Sequence, residues 1–143
     1  MSFYSIPFSA SEVIAGEFSR TGLAESVRQH IRLLLTSIPM RYRFAPIYGS
    51  WLNKHHFKLP DKRRGDKKLE NELKENLQTN IRMLIGKFEP RLQLSEVEVN
   101  VILPKPDEID PRHKGGRILF DINLIGIIDG EEDFEHRESV FLK

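Results

Sequence analysis

The residues in this chain best placed to do chemistry stand together at Glu89-Pro90-Arg91. Proline fixes its own backbone angle and restricts the residue before it, so the acid and the arginine are held in a set geometry. Arginine offers a planar fork that pairs with a carboxylate through two hydrogen bonds, and lysine does not replace it well. The plainer alternative is an ordinary helix exit carrying two exposed charges. A glycosidase needs two carboxylates flanking the scissile bond. Glu89 could be a fixed acid of that kind, but no feature supplies its partner, because Asp107, Glu108 and Asp110 sit in a polar loop that reads as solvated surface. The adjacent pair His55-His56 has no cluster of ligating residues near it in sequence, whereas zinc needs three or four convergent ligands. The expectation is therefore no metal, no cofactor and no catalytic residue.

The absence of cysteine removes disulfides, thiolate metal sites and cysteine nucleophiles. The phosphate-binding, dinucleotide-binding, HExxH and GxSxG patterns are absent as well. With 39% hydrophobic and 30% charged residues the composition is that of a water-soluble globular chain. No apolar run approaches the ~18 residues that span a bilayer, and the first residues lack a basic, then apolar, leader pattern. The expected location is the cytoplasm. The net charge of +1 conceals an asymmetry. Residues 54–74 hold eight Lys/Arg against four Asp/Glu, whereas residues 107–138 hold ten Asp/Glu against four Lys/Arg. A nucleic-acid binder presents a dominant basic face. One basic and one acidic end suit protein contacts better, with a nucleic-acid adaptor using residues 54–68 as a lesser alternative.

The elements that must position Glu89 and Arg91 can be read from periodicity. Leu23, Val27, Ile31, Leu34 and Leu35 fall on one helical face, with Thr21 as its expected N-cap and Pro39 as its far limit. Leu69, Leu73, Leu77, Ile81, Leu84, Ile85 and Phe88 form a longer stripe, starting from a cap at Asp66 and stopping near Phe88 ahead of Pro90. Val97, Val99, Val101 and Leu103 alternate with polar residues, as do Ile118, Phe120, Ile122 and Leu124. Asp129-Gly130 marks a turn, and Phe134 to Leu142 can form a last strand with an acidic outer face. Helices come first and strands after them. The predicted class is α+β: an antiparallel sheet of three to four strands, packed on one face by two main helices. Residues 1–20 read as an aperiodic N-terminal arm, and residues 21–143 as one domain.

The run Ile85-Gly86-Lys87-Phe88-Glu89-Pro90-Arg91-Leu92 resembles the Glu-Pro-Arg signature of the gene-25-like baseplate wedge family, found in contractile phage tails and, as the TssE component, in type VI secretion systems. A second block agrees with it: Ile31-Arg32-Leu33-Leu34-Leu35-Thr36, then Arg41, then Pro46-Ile47-Tyr48-Gly49-Ser50-Trp51-Leu52. The chain departs from many members at Ile38-Pro39-Met40, where they carry a glycine close before the arginine. The resemblance implies a structural wedge component of a TssE-like baseplate, or of a phage tail baseplate as the alternative. Implied partners are wedge subunits resembling TssF, TssG and TssK, and sheath proteins resembling TssB and TssC. Glu89, Pro90 and Arg91 become the expected partner contact, acting between subunits more than within the fold. The last strand, with Phe134, Val140, Phe141 and Leu142, becomes the expected sheath contact. The family also carries a lysozyme label, which these residues do not support.

Overall fold

The computed structural model describes residues 2–37, 39–49, 67–102 and 118–142. His55, His56, the Asp66 cap, Leu103 and the connector before Ile118 lie outside the described residues, as do the side chains of Leu69, Ile118, Phe141 and Leu142. The order of elements is β1 (Phe3–Tyr4), α1 (Ala10–Ala15), β2 (Arg20–Thr21), α2 (Leu23–Thr36), α3 (Lys67–Phe88), β3 (Leu92–Ile102), β4 (Ile118–Ile128) and β5 (Glu132–Leu142). The class is α+β, with a three-stranded antiparallel sheet in the order β3-β4-β5 and a separate two-stranded ribbon of β1 and β2.

Both helical stripes are buried as their spacing requires. Val27, Ile31, Leu34 and Leu35 of α2 and Leu77, Ile81, Leu84 and Ile85 of α3 join Val97, Val99, Phe120, Ile122, Leu124 and Phe134 in one core. The helices cover one face of the sheet, α3 against β3 and α2 against β5. Across the sheet Val97 faces Leu124 and Val99 faces Ile122, so the alternating residues of both strands point to the same side. A bulge between Leu94 and Glu96 shifts the register of β3. Close to it, Gly126 lies against the neighbouring backbone, and a Cβ at that position would collide with the Gln93 carbonyl.

Two boundaries differ from the sequence reading. Thr21 does not cap α2. It is taken up in β2, paired with Phe3, and the helix begins after Gly22 without a side-chain cap. The N-terminal arm is also not formless. Ser9 caps α1 in a reciprocal box with Glu12, and β1 pairs with β2. Near the unusual Ile38-Pro39-Met40 run, Met40 sits at φ 71°, the backbone region that favours glycine. Its N–H is satisfied by the Pro46 carbonyl at 2.7 Å.

Leu77 is fully buried at the centre of α3. Leu77→Ala should cost about 2–5 kcal/mol in a denaturant melt, since the cavity it leaves is hemmed in on every side. Gly126→Ala should lose about 1–3 kcal/mol for the opposite reason, because a methyl group is driven into backbone that cannot move aside.

Candidate functional site: the Glu89 turn

The site is the tight turn between α3 and β3. The Glu89 N–H still donates to the Ile85 carbonyl, completing the last helical bond, and the Leu92 N–H returns to the Glu89 carbonyl at 3.2 Å. Pro90 therefore takes the second position of a β-turn, which its fixed φ favours. The Asp129 N–H, in the β4–β5 turn, donates to the Arg91 carbonyl at 2.9 Å. The backbone of the motif is thus pinned from both sides.

Glu89 is buried, with 1% of its surface exposed. Arg91 meets it in a bidentate pair, Nε to Oε1 and Nη2 to Oε2, each at 2.6 Å. His30 of α2 donates from Nδ1 to Oε2 at 2.8 Å. Arg91 Nη1 reaches the Ser26 hydroxyl at 3.4 Å. Ser26 and His30 are four residues apart, so they stand on one face of α2 and clasp the turn together. The His30 ring stacks on Tyr48, which also packs edge-on against Phe88 and Tyr42. Burial pushes the Glu89 carboxyl up, but the hydrogen bonds from His30 and Arg91 and the Arg91 charge outweigh it and hold the group down at about 2. Burial, with the charges of Tyr42 and Glu89, pushes the Tyr48 phenol up to about 12.

Glu89 lies behind the other two residues of the motif: its carboxylate is enclosed and accepts hydrogen bonds from Arg91 and His30 of its own chain. Pro90 is exposed and the Arg91 side chain is 29% exposed, so these two form the outward part of the motif. The structure brings Glu89, Pro90 and Arg91 together and adds Ser26 and His30, which sequence reasoning did not single out, and Tyr48, which it held only as part of the second block. A signal existed for two of them: Ser26 and His30 are polar residues at i,i+4 beside the apolar stripe of α2. An ionised carboxylate with this low pKa cannot donate a proton near neutral pH, so Glu89 is unsuited to general-acid chemistry.

The residues expected at the sheath end lie elsewhere, on β5. Phe134 and Val140 are 2% and 7% exposed and point into the core. His136 and Glu138 share that inner face, where Glu138 pairs with Arg32 at 3.4 Å and Arg28 lies over the Phe134 ring. The outer face of the strand carries Asp133 and Glu135, with Arg137 bonded to Asp121 of β4. The Phe134 and Val140 side chains are thus taken up in the core, and among the described residues no strand pairs with the outer edge of β5.

The profile of the family described as baseplate wedge protein gp25 matches residues 21–124, and the chain belongs to that family. A crystal structure from Geobacter sulfurreducens, described as a tail lysozyme, superposes with a TM-score of 0.59 over 86% of this chain and 94% of that one, at 17% identity. At that identity the likeness is one of fold. No curated protein matches the chain. The family is one of structural baseplate components of contractile tails. Among the described residues no helix is long and apolar enough to cross a membrane.

The Glu89 carboxyl gives the turn an acid signature. Its folded pKa lies below the value of 4.5 expected when it is free. Its contribution is therefore complete above about pH 5 and is lost as pH falls toward 2. Glu89→Gln should lower stability at pH 7 by roughly the 3–5 kcal/mol typical of breaking a buried charged pair, since Arg91 is left without its carboxylate. The gap to the unaltered protein should close as denaturation is repeated at successively lower pH.

Proposed function

We propose that this chain is the wedge component of a TssE-like type VI secretion baseplate, and that it provides the platform on which the contractile sheath starts. It would work in the cytoplasm, without cofactor or catalysis, with residues 21–143 as one folding unit behind the N-terminal arm. Its partners would be wedge subunits of the TssF, TssG and TssK kind, met through Pro90 and Arg91 with Glu89 behind them, and sheath proteins of the TssB and TssC kind. A phage tail baseplate is the alternative setting, and the partners recovered with the chain decide between them.

The observation that carries the reading is the long open side of β5. β3, the other outer strand, also has no strand beside it among the described residues, but it carries a bulge, and Gln78 of α3 donates to its Val97 carbonyl at 2.9 Å. β5 runs for eleven residues with β4 on one side, and none of the described residues pairs with its other side. An uncovered strand of that length is a template for β-augmentation. The acidic residues on its outer face discourage indiscriminate pairing. The Phe134, Val140, Phe141 and Leu142 segment then meets the sheath through main-chain hydrogen bonds.

Two experiments test the two ends. Arg91→Lys keeps a positive charge and loses the fork, which also holds Glu89; protein that retains its melting midpoint should still fail to co-purify with wedge subunits, and full recovery of those subunits would remove Arg91 from the contact. At the other end, neighbouring residues of an edge strand point their N–H groups in opposite directions. Of Arg137→Pro and Glu138→Pro, the variant that retains its melting midpoint has the proline on the free edge. That variant should leave fluorescent sheath as foci that never extend. Sheaths of normal length would exclude β5 from initiation.

A further inference from the structure

The N-terminal segment lies across the same turn. The ring of Phe3 faces the guanidinium of Arg91, with 5.3 Å from the Arg91 Cζ to the ring centroid. The edge of the guanidinium is already occupied by Glu89 and Ser26. Phe3 therefore covers a face of the group that Pro90 and the β-turn present outward.

Among the described residues, residues 3–21 hold one another through hydrogen bonds and ring contacts of their own. β1 pairs with β2, and the Ser5 N–H donates to the Ser19 carbonyl. Glu12 accepts the backbone N–H groups of Ser9 and Ser19 and the Ser19 hydroxyl. Hydrogen bonds from Ser19 and Ser9 hold its carboxyl down at about 2. Tyr4 and Phe8 each pack edge-on against Phe18. Polar attachment to the body includes the bond from the Ile6 N–H to Gln29 Oε1 at 3.1 Å. The large apolar side chains do not enter the core: Tyr4 is 56% exposed, Phe8 46% and Ile14 87%. At its base the segment meets α2 through Gly22, where no atom within 4 Å would obstruct even a Cβ. A unit built this way can leave as one piece while keeping its internal bonds.

We propose that residues 3–21 form a strap that rests on Arg91 in the free protein and swings away about Gly22 when Arg91 meets a wedge partner. The strap competes with the partner for the exposed face of the guanidinium. It thereby lowers the apparent affinity by the fraction of molecules in which Arg91 is covered. This inference rests on the reading of Arg91 as the wedge contact.

The test uses full-length protein and two readouts. The first is the rate at which phenylglyoxal, an arginine-selective reagent, modifies Arg91, followed by mass spectrometry. The second is the Kd for wedge subcomplex purified from cells that lack this chain. Phe3→Ala should speed modification of Arg91 and tighten binding about three- to tenfold, the scale of one cation–π contact. Phe3→Tyr, which keeps an aromatic face, should match the unaltered protein in both. If Phe3→Ala leaves both readouts unchanged, or weakens binding, while Arg91→Lys still abolishes it, the strap is overturned and the wedge contact stands. If Arg91→Lys binds normally, the contact itself falls, and the strap's regulatory role falls with it.

Discussion

A carboxylate removed from water must be met by donors, or it gives up its charge. At Glu89 the chain meets that demand from two directions. Arg91 supplies both nitrogens of its fork from two residues away, and His30 reaches across from another helix. The first contact sets the shape of the turn. The second locks α2 to the junction of α3 and β3, fifty-nine residues distant in sequence. The Asp129 N–H brings in the β4–β5 turn as well. The α3–β3 junction, α2 and the β4–β5 turn thus meet at one place, and Arg91 is held there by its side chain and its backbone at once.

Much of the fold could be read from spacing alone. The stripes of α2 and α3 and the alternation of β3 and β4 follow from burial on one face, which is a local property of the chain. The end of α3 at Phe88 follows from Pro90. The N-terminal segment could not be read in this way, because β1 and α1 are short, and Ser9, Glu12 and Ser19 hold them by hydrogen bonds with no hydrophobic repeat. Thr21 misled for a related reason: a residue suited to capping also suits a strand, and pairing with Phe3 decided between the two.

The site was legible as a tripeptide and illegible as an arrangement. Glu89-Pro90-Arg91 announces a fixed acid and a fork, but sequence could not say whether they face a partner or each other. That answer depends on His30 and Ser26, whose separation from the turn along the chain is set by packing. The same limit applied at β5. Phe134 and Val140 alternate as a strand should, and their burial became evident only once α2 was seen to lie over them.

The open side of β5 has a consequence for what the strand must avoid. Among the described residues both outer strands of the sheet, β3 and β5, lack a neighbouring strand. A strand laid beside an open edge becomes the new margin and exposes an edge of its own, so nothing in the pairing itself limits growth. The limit has to come from side chains, and on the outer face of β5 Asp133 and Glu135 set like charges against a second copy laid alongside.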